Sequence, residues 1–182
     1  MKNIFSFATF IALSSFLVFA APLTPRNTQT VGPTFFQIIK QAQPDINFQT
    51  TLIPQISVQN GNNEVDSFVS FDIPAFAGVT SSSTCHFVLT GVSATPGSAI
   101  QLFSLGSPLI GNESFNKHPY YDQDEGQYAI DHNTGNSSPL YGGQVPCNFG
   151  GKMQFVIRPH FTDSSITWTQ SSSVGAFIVV NL

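Results

Sequence analysis

Charged side chains are scarce in this sequence of 182 residues, since only 9% of them are Asp, Glu, Lys or Arg. Six Lys and Arg stand against ten Asp and Glu, so the chain has no basic patch that could neutralise phosphates, and this argues against a nucleic-acid partner. Disorder is disfavoured as well, because 41% of the residues are hydrophobic and 18 are Phe. The composition therefore predicts a folded, acidic protein with a surface of neutral polar groups.

Catalytic signatures are also missing. The sequence contains no Gly-x-Ser-x-Gly elbow, no phosphate-binding Gly loop and no His-Glu-x-x-His pair. These absences favour a protein without enzymatic activity.

The N-terminal segment reads as a targeting signal. Lys2 is followed by an apolar run from Ile4 to Ala20 that ends in residues acceptable to signal peptidase. We interpret residues 1–20 as a cleaved signal peptide, which predicts a secreted protein without a membrane segment after cleavage. The alternative is a retained membrane anchor, which is disfavoured because no positive cluster follows the run.

The rest of the chain divides into a leader and one domain. Residues 21–30 contain Pro and Thr without periodicity and are expected to form a flexible leader. Residues 31–182 suffice for a single domain with a real core, and we expect a monomer.

Two sequons and one pair of cysteines also fit a secreted protein. The sequons Asn112-Glu113-Ser114 and Asn136-Ser137-Ser138 lie in polar, loop-like stretches where the acceptor would be exposed to glycosylation. Cys85 and Cys147 are the only cysteines, and in an oxidising compartment a lone pair most simply forms one disulfide.

Hydrophobic alternation predicts about eight β-strands and no long helix. In the strand from Val65 to Ile73, apolar residues share one face, whereas Asp66, Ser70 and Asp72 share the other, as in a half-buried antiparallel strand. Residues 31–42 fit either a short helix or an edge strand. The expected fold is all-β, an antiparallel β-sandwich of the jelly-roll or immunoglobulin-like kind, with the last three strands forming a meander.

The densest polar cluster contains Asp122, Asp124 and Glu125, followed by His132. Carboxylates at alternate positions suit calcium, although their spacing does not match a helix-loop-helix calcium loop. A solvated loop whose tyrosines pack back on the sheet is the simpler interpretation. A carboxylate-based glycosidase centre is a third alternative, disfavoured because neighbouring carboxylates on one flexible loop rarely keep the fixed separation that this chemistry needs.

Trp168 is the only Trp of the chain. On an outward face it could stack on a sugar ring, but it shares a strand face with Ile166 and Gln170, which favours burial.

Six short segments follow one another in a distinctive order along the chain. They are Phe71-Asp72-Ile73-Pro74-Ala75, Cys85-His86-Phe87-Val88-Leu89, Gln101-Leu102-Phe103-Ser104-Leu105, Pro146-Cys147, Trp168-Thr169-Gln170 and Gly175-Ala176-Phe177-Ile178. Together they resemble the fungal But-two C-terminal domain family. The resemblance covers roughly residues 48–182. It implies a β-sandwich with a disulfide and no active site. The family takes its name from a protein that binds a ubiquitin-like activating enzyme, a cytosolic partner that conflicts with the signal peptide and is not carried over.

Two functional hypotheses follow. The first is a secreted, non-enzymatic module of the fungal surface or cell wall that needs no cofactor and is either structural or binds an extracellular glycan or wall component. The second is a secreted hydrolase acting on polysaccharide, for which Asp122, Asp124, Glu125 and His132 are the candidates.

Overall fold

The computed structural model describes residues 27–182, which form thirteen β-strands and no helix. The strands are β1 Thr28–Val31, β2 Phe35–Lys40, β3 Gln55–Gln59, β4 Asn62–Asp72, β5 Thr84–Thr90, β6 Ser93–Ala94, β7 Ala99–Leu105, β8 Tyr121–Ile130, β9 Ser137–Gly142, β10 Gln144–Val145, β11 Lys152–Pro159, β12 Ser164–Thr167 and β13 Gly175–Asn181. The described part of the chain contains no helix that could span a membrane. The signal peptide assigned to residues 1–20 lies outside the described residues.

The strands form two antiparallel sheets. The small sheet has the order β1-β13-β5-β10, and the large sheet has the order β6-β12-β3-β4-β11-β7-β8-β9, with β2 paired to β4 beside this path. The all-β, antiparallel fold is confirmed, with more strands than the eight expected. The additional strands are mostly short or lie at sheet edges, where hydrophobic alternation is weak.

The main core lies between the inner faces of the two sheets, where aromatic rings meet edge to face. Phe87 of β5 packs against Phe71 of β4 and Tyr128 of β8, with ring centroids 6.5 and 5.6 Å apart. The predicted disulfide is present. It joins Cys85, two residues before Phe87 on β5, to Cys147, which follows β10. The crosslink holds the two-residue strand β10 at the edge of the small sheet, where Val145 pairs with Cys85.

Two expectations about the chain path need correction, and one open alternative is decided. Residues 28–30, assigned to the leader, pair with β13 as part of β1, so the ordered domain starts earlier than predicted. The ambiguous stretch of residues 31–42 contains the strand β2, not a helix. The expected meander is wrong, because β11 pairs with β4 and β7, β12 with β3 and β6, and β13 with β1 and β5.

The outer face of the large sheet is half covered. Residues 106–120, here called the covering loop, bring Leu109 and Phe115 against a second small core of Ile39, Phe68 and Val156. For this reason Asp66 and Ser70, which the alternation placed on a solvent face, are buried, whereas Asp72 is exposed as expected. The loop contacts β8 at Tyr121, on which His118 stacks with ring centroids 5.1 Å apart. Farther along the outer face, Asp122 and Asp124 of β8 and Tyr141 of β9 are exposed.

Candidate functional site

Four polar side chains meet on the open half of the outer face. Strand register places Gln101 of β7 opposite Gln127 of β8, and Gln127 opposite Tyr141 of β9. Asp124, three residues before Gln127 on β8, lies within hydrogen-bond distance of both Gln101 and Tyr141. We call Gln101, Asp124, Gln127 and Tyr141 the Tyr141 row.

Two glycines allow the strand that carries Tyr141 to lie this close to β8. Gly126 has a φ of 141°, and a Cβ there would lie 2.7 Å from the backbone oxygen of Tyr141. Gly142 has a φ of 70°, and a Cβ there would lie 2.4 Å from the backbone oxygen of Glu125. Any larger residue at either position would push β9 away and open the row.

Hydrogen bonds fix the geometry of the row around Asp124. Its Oδ2 accepts from Gln101 Nε2 at 2.7 Å and from the Tyr141 hydroxyl, and its Oδ1 accepts from the backbone N of Gly126 at 3.0 Å. The bond to Asp124 raises the pKa of Tyr141, so its hydroxyl keeps its proton and donates it. The residue Tyr141 is nevertheless 45% exposed.

This arrangement combines two chemical features that a sugar recognises. The exposed ring offers a flat apolar surface to the C–H face of a pyranose, and the carboxylate and amides around it offer acceptors and donors for hydroxyl groups. Because the side chains already bind one another, little conformational entropy remains to be lost when a ligand binds.

A second cluster adjoins the row on the same outer face, nearer the centre of the large sheet. Arg158 of β11 is the cross-strand partner of Gln101, and its guanidinium contacts the carboxylates of Glu64 and Asp66 on β4. Arg158 Nε lies 3.3 Å from Asp66 Oδ2, which also accepts from the Tyr121 hydroxyl at 3.0 Å. We call Glu64, Asp66, Tyr121 and Arg158 the Arg158 cluster.

Burial dominates the electrostatics of the Arg158 cluster. Asp66 is fully buried, and desolvation raises the pKa of its carboxyl well above the ordinary value despite the nearby Arg158, which acts in the opposite direction. Burial likewise raises the pKa of Tyr121, so this hydroxyl stays protonated. Since Arg158 faces two carboxylates, its positive charge is not available to an anionic ligand.

Comparison with known families identifies the domain. Residues 32–173 match the family described as ubiquitin 3 binding protein But2 C-terminal domain. The chain belongs to this family. No curated protein is similar enough to the chain to serve as a relative.

In this But2 domain the acidic stretch is a strand, not a loop. Asp122, Asp124 and Glu125 all lie on β8, whose pairing with β7 shifts register at Phe103. Asp122 and Asp124 are exposed, whereas Glu125 is buried, and its burial raises its pKa. The tyrosines of this stretch were expected to pack back on the sheet. Tyr121 does so by stacking on Phe103, whereas Tyr120 is exposed.

The structure does not gather these carboxylates into a metal centre. Within residues 27–182 no three His, Cys, Asp or Glu side chains stand together as a metal site. Asp124 already accepts hydrogen bonds from Gln101, Tyr141 and Gly126. Glu125 is buried whereas Asp124 is exposed, so the two carboxylates do not share one environment.

Calcium should therefore leave the melting temperature of the But2 domain unchanged, because only a ligand that binds the native state raises it. Thermal unfolding with millimolar calcium and with a chelator checks this. A rise in melting temperature that disappears in the double variant Asp122→Ala with Asp124→Ala would instead establish the calcium site.

The hydrolase hypothesis also requires His132 to act with these carboxylates. His132 is exposed and lies in the turn two residues after Ile130, where β8 ends. At about 3.3 Å per residue, the six residues from Asp124 to Ile130 already span about 20 Å, and the two residues of the turn are too few to bring His132 back to a reacting atom shared with Asp124. The structure thus does not bring together the residues proposed for hydrolysis.

The other predicted sites are placed as follows. Asn112 and Asn136 are both exposed, as their sequons suggested, and glycosylation itself stays a prediction. Trp168 is only 5% exposed and packs edge-on against Phe36, with ring centroids 5.8 Å apart, so burial is confirmed.

Sequence reasoning missed Tyr141, Gln101 and Gln127 altogether. They come from three strands and become neighbours only through strand register. The one local signal was the pair of glycines, Gly142 and Gly143, directly after Tyr141, which indicates an unusual backbone beside a solvent-facing aromatic residue.

Proposed function

We propose that this But2 domain is a secreted, non-enzymatic module of the extracellular surface or cell wall, and that it binds a neutral glycan through the Tyr141 row. The observation that carries the proposal is the exposed ring of Tyr141, whose hydroxyl is held by Asp124 beside Gln101. A protein surface that binds a sugar needs a flat apolar group with fixed polar groups around it, and the row supplies both.

Charge supports a neutral ligand. The row itself contains one carboxylate and no cation, and the adjoining Arg158 is paired with Glu64 and Asp66. Uronic acids and sulfated sugars would therefore meet repulsion from Asp124 without a compensating positive charge.

The proposal does not extend to the partner in the family's description. The sequence predicts a signal peptide and two sequons, which lead through the secretory route, away from a ubiquitin pathway in the cytosol. A hydrolase is not proposed, because His132 lies beyond the end of β8, far from Asp122, Asp124 and Glu125.

Tyr141→Ala should weaken binding to the recognised polysaccharide at least tenfold, because it removes the apolar surface for the sugar and the donor to Asp124. The protein is first tested against a panel of insoluble and soluble neutral polysaccharides, with release of soluble sugars measured in the same tubes. The wild-type protein should be depleted from solution without releasing sugar.

Tyr120→Ala is the matched control. Tyr120 is 65% exposed, lies in the covering loop and is not part of the row, so its loss should leave binding unchanged. Equal loss of binding in both variants, or sugar release by the wild-type protein, would contradict the proposal.

A further inference from the structure

An apolar pocket opens beside the first sequon. It has a volume of about 450 Å³, and its wall includes Asn112 itself together with Pro108, Ile110 and Pro119. Ile110 is 74% exposed, so most of its side chain is available for contact in the pocket. A contiguous apolar patch formed by several side chains, here Pro108, Ile110 and Pro119, is a candidate contact surface for a ligand.

The turn that carries Asn112 is held rigidly. The buried carboxylate of Glu113 accepts hydrogen bonds from the backbone N of Ile110 at 2.6 Å and of Gly111 at 3.0 Å. The backbone oxygen of Glu113 in turn accepts from the buried Gln37 Nε2 at 2.9 Å. A group attached to Asn112 would therefore start from a fixed point beside the pocket.

The side chain of Asn112 is free for attachment. It is exposed and makes no hydrogen bond to any other residue within 27–182. Asn136 differs, because its Oδ1 accepts from the backbone N of Gly91 at 3.2 Å.

We propose that the pocket is covered by an N-linked glycan on Asn112, whose first sugars pack their C–H faces on Pro108, Ile110 and Pro119. In the attachment step, Asn112 Nδ2 loses a proton and bonds to C1 of an N-acetylglucosamine, and the pyrophosphate of a lipid-linked sugar donor leaves from that C1. The tether keeps the sugar at a high local concentration above the pocket, so even weak contacts are occupied. This inference rests on the secretion part of the proposed function and is independent of the Tyr141 row.

The test is a double-mutant cycle on the secreted, glycosylated protein. Ile110→Ser should lower the melting temperature by about 2–4 °C where Asn112 carries sugar, the shift typical of one lost favourable contact in a domain of this size. The same substitution should change nothing in the Asn112→Gln background, because the exposed Ile110 then covers no sugar. Trimming the glycan to one N-acetylglucosamine should retain most of the stabilisation, and complete removal should abolish it.

Ser138→Ala is the control, since it removes the other sequon while leaving the Asn136 side chain and its bond to Gly91 in place. It should not shift the melting temperature. Equal effects of Ile110→Ser in both backgrounds, or intact mass and peptide mapping that find sugar at Asn136 but none at Asn112, would overturn the inference. Absence of sugar at both sites would overturn it together with secretion, whereas polysaccharide binding by the Asn112→Gln variant tests the Tyr141 row separately.

Discussion

Replacing Cys85 and Cys147 together with Ser should lower the free energy of unfolding by about 4 kcal/mol. The two residues are separated by 62 positions, so the disulfide removes a large loop-closure entropy from the unfolded chain. It also fixes the two-residue strand β10, which has few other contacts to hold it at the edge of the small sheet. Urea unfolding of both proteins measures the difference.

Reducing agent provides the control for this prediction. It should destabilise the wild-type protein to the level of the double variant and leave the variant itself unchanged. Two thiols that can be alkylated in the native, unreduced protein would contradict the assigned crosslink.

Arg158→Met should cost about 3–5 kcal/mol, because it leaves Asp66 fully buried without its cationic partner. Lys152→Met is the matched control on the same strand. Lys152 lies 3.8 Å from Asp72 in an exposed ion pair, which should contribute no more than about 1 kcal/mol. Adding Asp66→Asn to Arg158→Met should restore part of the loss, since the unpaired charge is removed.

The loss caused by Arg158→Met should also depend on pH. Burial raises the pKa of Asp66 in the folded state, so its contribution to stability is complete below about pH 4, near the unfolded pKa, and is lost as pH rises through the folded pKa. Arg158 lowers the pKa of Asp66, and its removal raises that pKa further. The difference in unfolding free energy between wild type and variant should therefore grow as pH is raised from 4 to 8. A difference independent of pH would mean that Arg158 acts by packing alone.

Local alternation was sufficient to predict the β architecture. The inward residues of β4 and β11 follow a period of two, as in Met153, Phe155 and Ile157, so the strands and their core face could be predicted from neighbouring residues alone. The disulfide followed from the number of cysteines. The short strands β6 and β10 could not be predicted, because two residues carry no period.

Contacts between distant segments account for the rest. Asp66 is buried because the covering loop leads into Tyr121, 55 residues later in the chain, and places Tyr121 and its neighbours over β4. The acidic stretch was interpreted as a loop because charged residues rarely continue a strand, whereas pairing with β7 and β9 holds it extended. The Tyr141 row depends on the register of three strands, which no single segment encodes.

The most direct test of glycan binding is amide NMR of the isotope-labelled protein, titrated with a short oligosaccharide of the polysaccharide that it binds. The account predicts that the shifted resonances cluster on the outer faces of β7, β8 and β9, around Gln101, Gln127 and Tyr141, and that Tyr141→Ala abolishes these shifts. Shifts that cluster elsewhere, for example around the covering loop, or that persist in Tyr141→Ala, would contradict it.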